Sequence, residues 1–290
     1  MADLMFRLLS RLPLRVLQGL GAALGWLVFL VSPVYRRRLR DNLNLAFPAA
    51  ASRLLPQVVA HIGRQMLELP YIWLRGHEEA IEQVASVSGW EVVEAAQARG
   101  EGLFFVTPHL GCFDMTAQYI ATRVPITVLF RPPKQDKLRP LMEAGRTRAG
   151  MRSAPADVSG VRSLMRALKR GEAIGLLPDQ VPGQGEGVWG TFFGRPAYTM
   201  TLAARLSQIA NTALIFVYAE RLPRGRGFDL HFLAPPMAVE GSLEARAEAI
   251  NRCIENLIGR CPAQYLWSYN RYKVPSGANP AGARASESSS

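Results

Sequence analysis

Short apolar runs alternate with amphipathic segments over most of the chain. Runs of four to six mainly apolar residues are typical of buried strands, and they predict strands at 103–106, 126–130, 173–177, 213–218 and 229–233. Apolar residues at three- and four-residue spacing predict helices at 52–69, 90–99, 115–123, 138–149, 161–169, 200–210 and 243–260. This alternation predicts an α/β fold, a single layered domain with a mostly parallel central sheet flanked by helices.

Two of these helices carry start and stop signals. Ser52 is a suitable N-cap for the helix at 52–69, and Pro70 a suitable stop. Ser159 is a suitable N-cap for the helix at 161–169, and Gly171 a suitable stop.

Residues 16–34 form an apolar segment that is long enough, at about 20 residues, to cross a bilayer. Arginines flank it on both sides: Arg7, Arg11 and Arg15 precede it, and Arg36, Arg37, Arg38 and Arg40 follow it. No small-residue cleavage site follows the apolar core, so we interpret the segment as an uncleaved membrane-anchor helix. The denser arginine block after it favours a cytoplasmic location for the main domain. Residues 4–20 are amphipathic, which also allows a helix lying in the membrane interface.

The chain divides by composition into three parts. We predict a membrane anchor with its basic flank at 1–48, a catalytic domain at 49–274, and a disordered tail, rich in Gly, Ala, Ser and Pro, at 275–290.

Positive charge is concentrated in two zones. The chain has 34 Lys and Arg against 23 Asp and Glu, a net charge of +11. Residues 1–48 have a net charge of +5 and residues 131–170 a net charge of +8, while the rest is close to neutral. Such zones favour anionic partners: membrane headgroups, phosphates or an acidic protein. Zinc-finger spacing, an aromatic RNA-binding signature and a helix-turn-helix are absent from the sequence, so we expect no nucleic-acid partner.

The main candidate for chemistry is the run at 107–114, which follows the first central strand and opens into a helix. His109 and Asp114 are separated by four residues there, where ligand and catalytic groups of α/β sheets gather. An Asp that accepts a hydrogen bond from one imidazole nitrogen strengthens the other as a base. Asp114 is also favoured by the dipole of the helix in whose first turn it lies, so a structural role stays open.

Further polar groups follow other predicted strands. Arg131 follows the second strand and could hold a phosphate or polarise a carbonyl. Asp179, after the third, could position a substrate or a neighbouring basic group, or serve only in a turn. Beyond the glycine-rich segment at 183–187, which we interpret as a flexible cover, Arg195 is a candidate substrate-binding residue. Backbone N–H groups near Gly111 are candidates to stabilise an oxyanion.

Cofactor and metal signatures are missing from the sequence. The glycine-rich segment matches neither a P-loop nor a dinucleotide fingerprint, and the serine hydrolase elbow does not occur. His61, His77 and His231 show no metal-ligand spacing. The cysteines number three and form no pair motif, as in a reducing compartment, and Cys112 is expected to pack as a small apolar side chain. We therefore expect no cofactor and no metal.

Taken together, these motifs resemble those of the bacterial lipid A late acyltransferases, within the lysophospholipid acyltransferase superfamily. The resemblance covers most of residues 1–275. Its parts are the anchor followed by 40–43 and 46–48, His109 with Asp114, the Arg131-Pro132 step, 178–180, 192–194, and 262–267 with Arg271. Superfamily members that acylate glycerolipids usually have Asn before the His and Ser within the motif, where this chain has Pro108 and Cys112.

The resemblance implies transfer of a fatty acyl chain from an acyl carrier protein thioester to a hydroxyl of a lipid A precursor, at the cytoplasmic face of the inner membrane. His109 would act as general base with Asp114 holding its ring. Two alternatives stay open at this stage: an acyltransferase for another lipid, such as an aminolipid or a lysophospholipid, and a membrane lipid-binding protein without turnover.

Overall fold

The centre of the molecule is a sheet whose strands come from distant parts of the chain. The computed structural model describes residues 2–130, 145, 148 and 150–278, and the strand order below refers to these residues. The strands are β1 (Val84–Ser88), β2 (Gly102–Val106), β3 (Ile126–Phe130), β4 (Met151–Pro155), β5 (Ala173–Leu176), β6 (Gly187–Phe192), β7 (Arg195–Met200), β8 (Thr212–Arg221) and β9 (Phe228–Leu233). Seven of them form one sheet in the order β1-β9-β8-β2-β5-β3-β4, in which only β8 and β9 pair antiparallel. The predicted α/β fold with a mostly parallel sheet is confirmed.

Helices cover both faces of this sheet. In the described part of the chain they are α1 (Ala2–Ser10), α2 (Leu14–Val31), α3 (Pro33–Ala46), α4 (Ala51–Leu74), α5 (His77–Ile81), α6 (Trp90–Ala98), α7 (Phe113–Ala121), α8 (Val158–Lys169), α9 (Thr201–Leu206) and α10 (Leu243–Arg260). The helix predicted at 138–149 lies outside the described residues except for Gly145 and Arg148.

All five predicted strands are present, but the two edge strands of the main sheet were not predicted. Strand β2 is buried at every position, so its sequence is a continuous apolar run. Strands β1 and β4 lie at the two edges of the sheet. Exposed polar residues such as Ser86 and Arg152 interrupt the apolar residues in these strands. An edge strand of this kind leaves no apolar run for a sequence pattern to detect.

Two predicted helix ends were wrong. Helix α4 does not stop at Pro70 but continues to Leu74. The hydrogen bond that Pro70 removes is offset by the burial of Tyr71, Ile72 and Trp73 in the extra turn. Helix α8 begins earlier than predicted because Asp157 caps it, accepting hydrogen bonds from the N–H groups of the two residues after Val158.

The glycine-rich segment at 183–187, predicted to be a flexible cover, leads directly into a regular hairpin and contributes Gly187 to it. Strands β6 and β7 pair antiparallel, and Met200 ends β7 where a helix was expected to begin. Helix α10 ties the hairpin down: Phe193 N–H donates to the Glu255 carboxylate (2.7 Å), and Asn251 donates to the Thr191 carbonyl (2.8 Å).

The apolar N-terminal segment is a separate helix, α2, packed along α4. Three glycines, Gly21 and Gly25 of α2 and Gly63 of α4, lie where the two helices cross. A Cβ at Gly63 would overlap the Gly21 carbonyl oxygen and lie 2.7 Å from the Gly25 nitrogen. By length and composition α2 is the single helix among the described residues that qualifies to cross a membrane. Its other side exposes a stripe of large apolar residues, Val16, Leu20, Leu24, Leu27 and Val31.

The N-terminal helices share the core of the molecule. Leu39 and Leu43 of α3 are fully buried among side chains from the sheet and α10, and Leu17 of α2 packs in the apolar layer on the opposite face of the sheet. The predicted boundary at residue 48 is therefore not marked by a break in packing. Of the predicted tail at 275–290, residues 279–290 lie outside the described part.

Candidate active site

The loop after β2 is held in place by backbone hydrogen bonds to two distant segments. The His109 carbonyl accepts from Leu266 N–H (3.0 Å), and Gly111 N–H donates to the Gln264 carbonyl (3.1 Å). Gly111 has a φ of 60°, and a Cβ there would overlap the Ala219 carbonyl oxygen near the end of β8. Only glycine allows both this conformation and this close approach.

Strands β2 and β5 are parallel neighbours, so the loops at their carboxyl ends meet. His109 comes from the first loop and Asp179 from the second. The Asp179 Oδ1 atom lies 2.7 Å from His109 Nδ1, and its Oδ2 accepts the His109 backbone N–H at 2.9 Å. The carboxylate is therefore bound to both the ring and the main chain of one residue, and it is 2% exposed.

Asp179 is ionised in this environment. Burial by itself raises the pKa of its carboxyl, but the charge that the His109 ring carries when protonated and the hydrogen bonds from His109 outweigh burial, with a further contribution from the charge of Arg271. The pKa of Asp179 consequently lies below its ordinary value. An ionised carboxylate at Nδ1 requires that this nitrogen carry the proton.

The second ring nitrogen of His109 points to the loop residue after Asp179. The Gln180 side-chain amide nitrogen lies 3.1 Å from His109 Nε2, and with the proton on Nδ1 the amide donates to the Nε2 lone pair. The Phe113 ring stands edge-on to the imidazole, with centroids 4.8 Å apart. The ring is thus held in one tautomer, with Nδ1 bound by Asp179 and Nε2 in contact with the Gln180 amide.

His109, Asp114 and Gln180 line one cavity of about 260 Å³, which runs between α7 and the sheet. Its walls beyond these groups are largely apolar, formed by Phe105, Phe113, Ala117, Ile120, Ile126, Val128, Leu129, Met151, Ala156, Gly175, Leu176, Val181, Met200 and Val217. The cavity thus combines a mainly apolar wall with the imidazole of His109, and its apolar part suits a hydrocarbon group.

Asp114 lies in the first turn of α7 and is buried, with 7% exposed. The described hydrogen bonds to the His109 ring nitrogens come from Asp179 and Gln180. The pairing of Asp114 with the ring therefore stays a prediction. For Asp179 the sequence left open a role in positioning a neighbouring basic group, and the basic group beside it in the structure is His109.

Two other predicted substrate-binding residues lie elsewhere. Gly111 does not line the cavity, and its N–H is already bonded to Gln264, which leaves it no free donor for an oxyanion. Arg195 is exposed on β7, with its guanidinium 4.8 Å from the centre of the Tyr272 ring. Arg131 lies outside the described residues.

Two groups that support the site had no assigned role in the sequence analysis. Arg271 is 3% exposed, donates to the Tyr198 carbonyl (2.8 Å) and contributes positive charge near Asp179. A buried ion pair joins Arg221, at the end of β8, to Glu68 of α4, and Arg221 N–H also donates to Gln264. The residues that make these contacts are between 43 and 153 positions apart in sequence, so spacing carries no signal of the contacts.

Comparison with known proteins bears on the chemistry of this site. A family model described as bacterial lipid A biosynthesis acyltransferase matches residues 3–274. The chain is 28% identical over 275 residues to the lipid A biosynthesis palmitoleoyltransferase of Escherichia coli (strain K12), covering 91% of this chain and 87% of that protein. It is 26% identical over 273 residues to the lipid A biosynthesis lauroyltransferase of the same organism (92% and 88%). A lipid A biosynthesis acyltransferase of Haemophilus influenzae is 23% identical over 265 residues (90% and 82%).

Proposed function

Because the chain belongs to the bacterial lipid A biosynthesis acyltransferase family, and is thus an acyltransferase acting on lipid A, we propose that it moves a fatty acyl chain from an acyl carrier protein thioester to a hydroxyl of a lipid A precursor. The observation that supports this reaction best is the oriented imidazole of His109 at an apolar cavity. A base next to a hydrocarbon-binding space is what acyl transfer to a hydroxyl requires.

In the first step the acceptor hydroxyl takes the place of the Gln180 amide at His109 Nε2. The imidazole removes the hydroxyl proton as the oxygen attacks the thioester carbonyl carbon. Asp179 stabilises the imidazolium through Nδ1, and the side chain of Asp114, in the same cavity wall, supports the ring from the cavity side. The tetrahedral intermediate then breaks its C–S bond, and the leaving thiolate takes the proton back from Nε2. The enzyme forms no covalent intermediate.

The oxyanion needs a hydrogen-bond donor near the reacting carbon. The N–H groups of residues 109–112 each donate within the protein, to Asp179, Pro108, Gln264 and Ala219 in turn. The Gln180 side-chain amide lies beside His109 Nε2 and is released when the hydroxyl binds there. We assign the oxyanion to this amide, with Arg131 as the second candidate carried over from the sequence.

The acyl chain occupies the apolar part of the cavity, between α7 and the sheet. Phe105, Ile126 and Val128 on the strands face Ala117 and Ile120 of the helix across this space. Burial of each methylene contributes about 0.8 kcal/mol, which binds the chain without directional contacts.

For the membrane we propose that α2 lies on the bilayer surface and does not cross it. Its glycine face is occupied by α4, which also carries the buried ion pair between Glu68 and Arg221 and so cannot enter a hydrocarbon core with it. The free apolar stripe of α2 enters the interface, while the arginines before and after it meet anionic headgroups. The domain then sits on the cytoplasmic face of the inner membrane, where acyl carrier protein thioesters are available.

The test of the catalytic proposal is direct. Purified protein is incubated with lauroyl-acyl carrier protein and a hydroxyl-bearing lipid A precursor, and products are read by mass spectrometry, with an aminolipid and a lysophospholipid offered in parallel. Wild type should add one acyl group to the lipid A precursor, and His109→Ala should reduce turnover by at least 1,000-fold, on the scale of a lost general base with its ion pair. His231→Asn, on β9, is the matched control and should keep its activity.

Three results would contradict the proposal. Near-normal turnover by His109→Ala would show that His109 is not the general base. Preferred acylation of the aminolipid or lysophospholipid would show that the acceptor is not a lipid A precursor. Binding of the precursor by wild type with no product favours the lipid-binding alternative.

A further inference from the structure

Helix α8 presents one continuous stripe of exposed residues on the side opposite its packing face. Its buried face, which packs on the sheet, is formed by Gly160, Leu164, Ala167 and Leu168. The exposed stripe follows the helical repeat over a length of about 16 Å and consists of Val158, Arg162, Met165, Arg166 and Lys169. Its two apolar members are well exposed, Val158 at 67% and Met165 at 39%.

The positive charges of this stripe have no counter-charge within the described part of the chain. None of Arg162, Arg166 and Lys169 belongs to an ion pair there, while the neighbouring Arg170 is bound by Glu172. The helix dipole favours cations in the last turn, which accounts for Arg166 and Lys169. It does not account for Arg162, which repels Arg166 one turn away.

The stripe begins beside the active-site cavity. Ala156 lines the cavity, and Val158 follows it by two residues, so their Cα atoms lie within about 7 Å. A partner docked along α8 therefore has its nearer end at the cavity.

We propose that the α8 stripe is the docking surface for the acidic acyl carrier protein that supplies the acyl group. This rests on the proposed function. The partner it fits has an acidic helix with a few exposed apolar side chains: its carboxylates pair with the three cations, and its apolar residues cover Val158 and Met165. The carrier's flexible arm then enters the cavity past Ala156 with its thioester.

The composition of the stripe favours a protein over a lipid surface. On α2 the exposed stripe is entirely apolar and suits insertion into an interface. On α8 three cations alternate with only two apolar residues, which suits a charged, solvated interface.

The experiment reverses two charges, Arg162→Glu with Arg166→Glu, and compares two donors with the same acyl chain: lauroyl-acyl carrier protein and lauroyl-pantetheine, which lacks the protein. The KM for the carrier thioester should rise about tenfold or more at low salt, and the effect should shrink as salt screens exposed charges. The kcat, the KM for lauroyl-pantetheine and the KM for the lipid acceptor should stay within twofold. Arg252→Glu with Arg260→Glu, exposed on α10, makes the same change in net charge and is the control.

A carrier protein with acidic helix residues changed to Lys should restore a low KM with the double variant, which no loss of folding would permit. The proposal is overturned if the carrier KM changes no more than in the control. It is also overturned if the acceptor KM rises instead, which would assign the stripe to anionic lipid, or if both donors lose activity equally. A wild type that turns over neither donor refutes the proposed function itself, so the two failures are distinct.

Discussion

Replacing Asp179 by Asn keeps the size and much of the shape of the side chain but removes the negative charge at His109 Nδ1. The carboxylate lies 2.7 Å from that nitrogen and is 2% exposed, so water cannot take its place. When His109 gains a proton in the reaction, the wild-type enzyme forms a buried ion pair and the variant does not.

The cost is estimated from the charge separation. Two unit charges about 4 Å apart interact by about 4 kcal/mol at an effective dielectric constant of about 20. Each 1.36 kcal/mol changes a rate about tenfold, so kcat should fall by about 1,000-fold. The equivalent Asp to Asn change in a serine protease triad lowers kcat by about 10,000-fold, because Asn also favours the wrong tautomer. The KM for the acyl donor should change little, since Asp179 does not line the cavity.

The assay measures kcat and KM together with the proton resonance of Nδ1–H in histidine-labelled protein. Asp179→Asn should lose both turnover and this resonance. Asp114→Asn should lower turnover but keep the resonance, since Asp179 still accepts the Nδ1 proton. Asp157→Asn, which caps α8 equally well, is the control and should leave both unchanged.

A kcat for Asp179→Asn within tenfold of wild type would refute the assignment of Asp179 as the partner of His109. Loss of the Nδ1–H resonance in Asp114→Asn alone would transfer that role to Asp114.

Two further predictions concern stability, measured as urea unfolding midpoints. Gly63→Ala should destabilise the protein by about 1–3 kcal/mol, because its methyl group overlaps α2, whereas Gly19→Ala, with open space around it, should be neutral or stabilising; equal effects would contradict the glycine crossing. Burial, with the charges of Arg221 and Arg64, lowers the pKa of His61 to about 3. The unfolded chain therefore takes up this proton below about pH 6.5 and the folded one does not, so stability should fall by about 2 kcal/mol between pH 7 and 5. His61→Gln should remove that part of the acid sensitivity, and an unchanged pH dependence would exclude His61 as its source.

Local patterns were sufficient for elements whose surroundings are uniform. Central strands such as β2 are buried on both faces, so each position is apolar and the run is visible in the sequence. Helix α10 was predicted with its observed bounds from its periodicity alone, and in the structure Ser242 caps it at the predicted start. His109 was located because it lies in the loop that follows such a strand.

What the sequence could not determine are the relations between segments. The contact of His109 with Asp179 crosses 70 residues and exists because β5, not β3, is the neighbour of β2 in the sheet. Hydrophobic periodicity shows that a strand is buried but not which strand lies beside it, since the apolar faces of all central strands are alike. The same reason hid the crossing of α2 on α4: glycines leave no apolar signal, and only the packed structure shows that the missing side chains make room for a second helix.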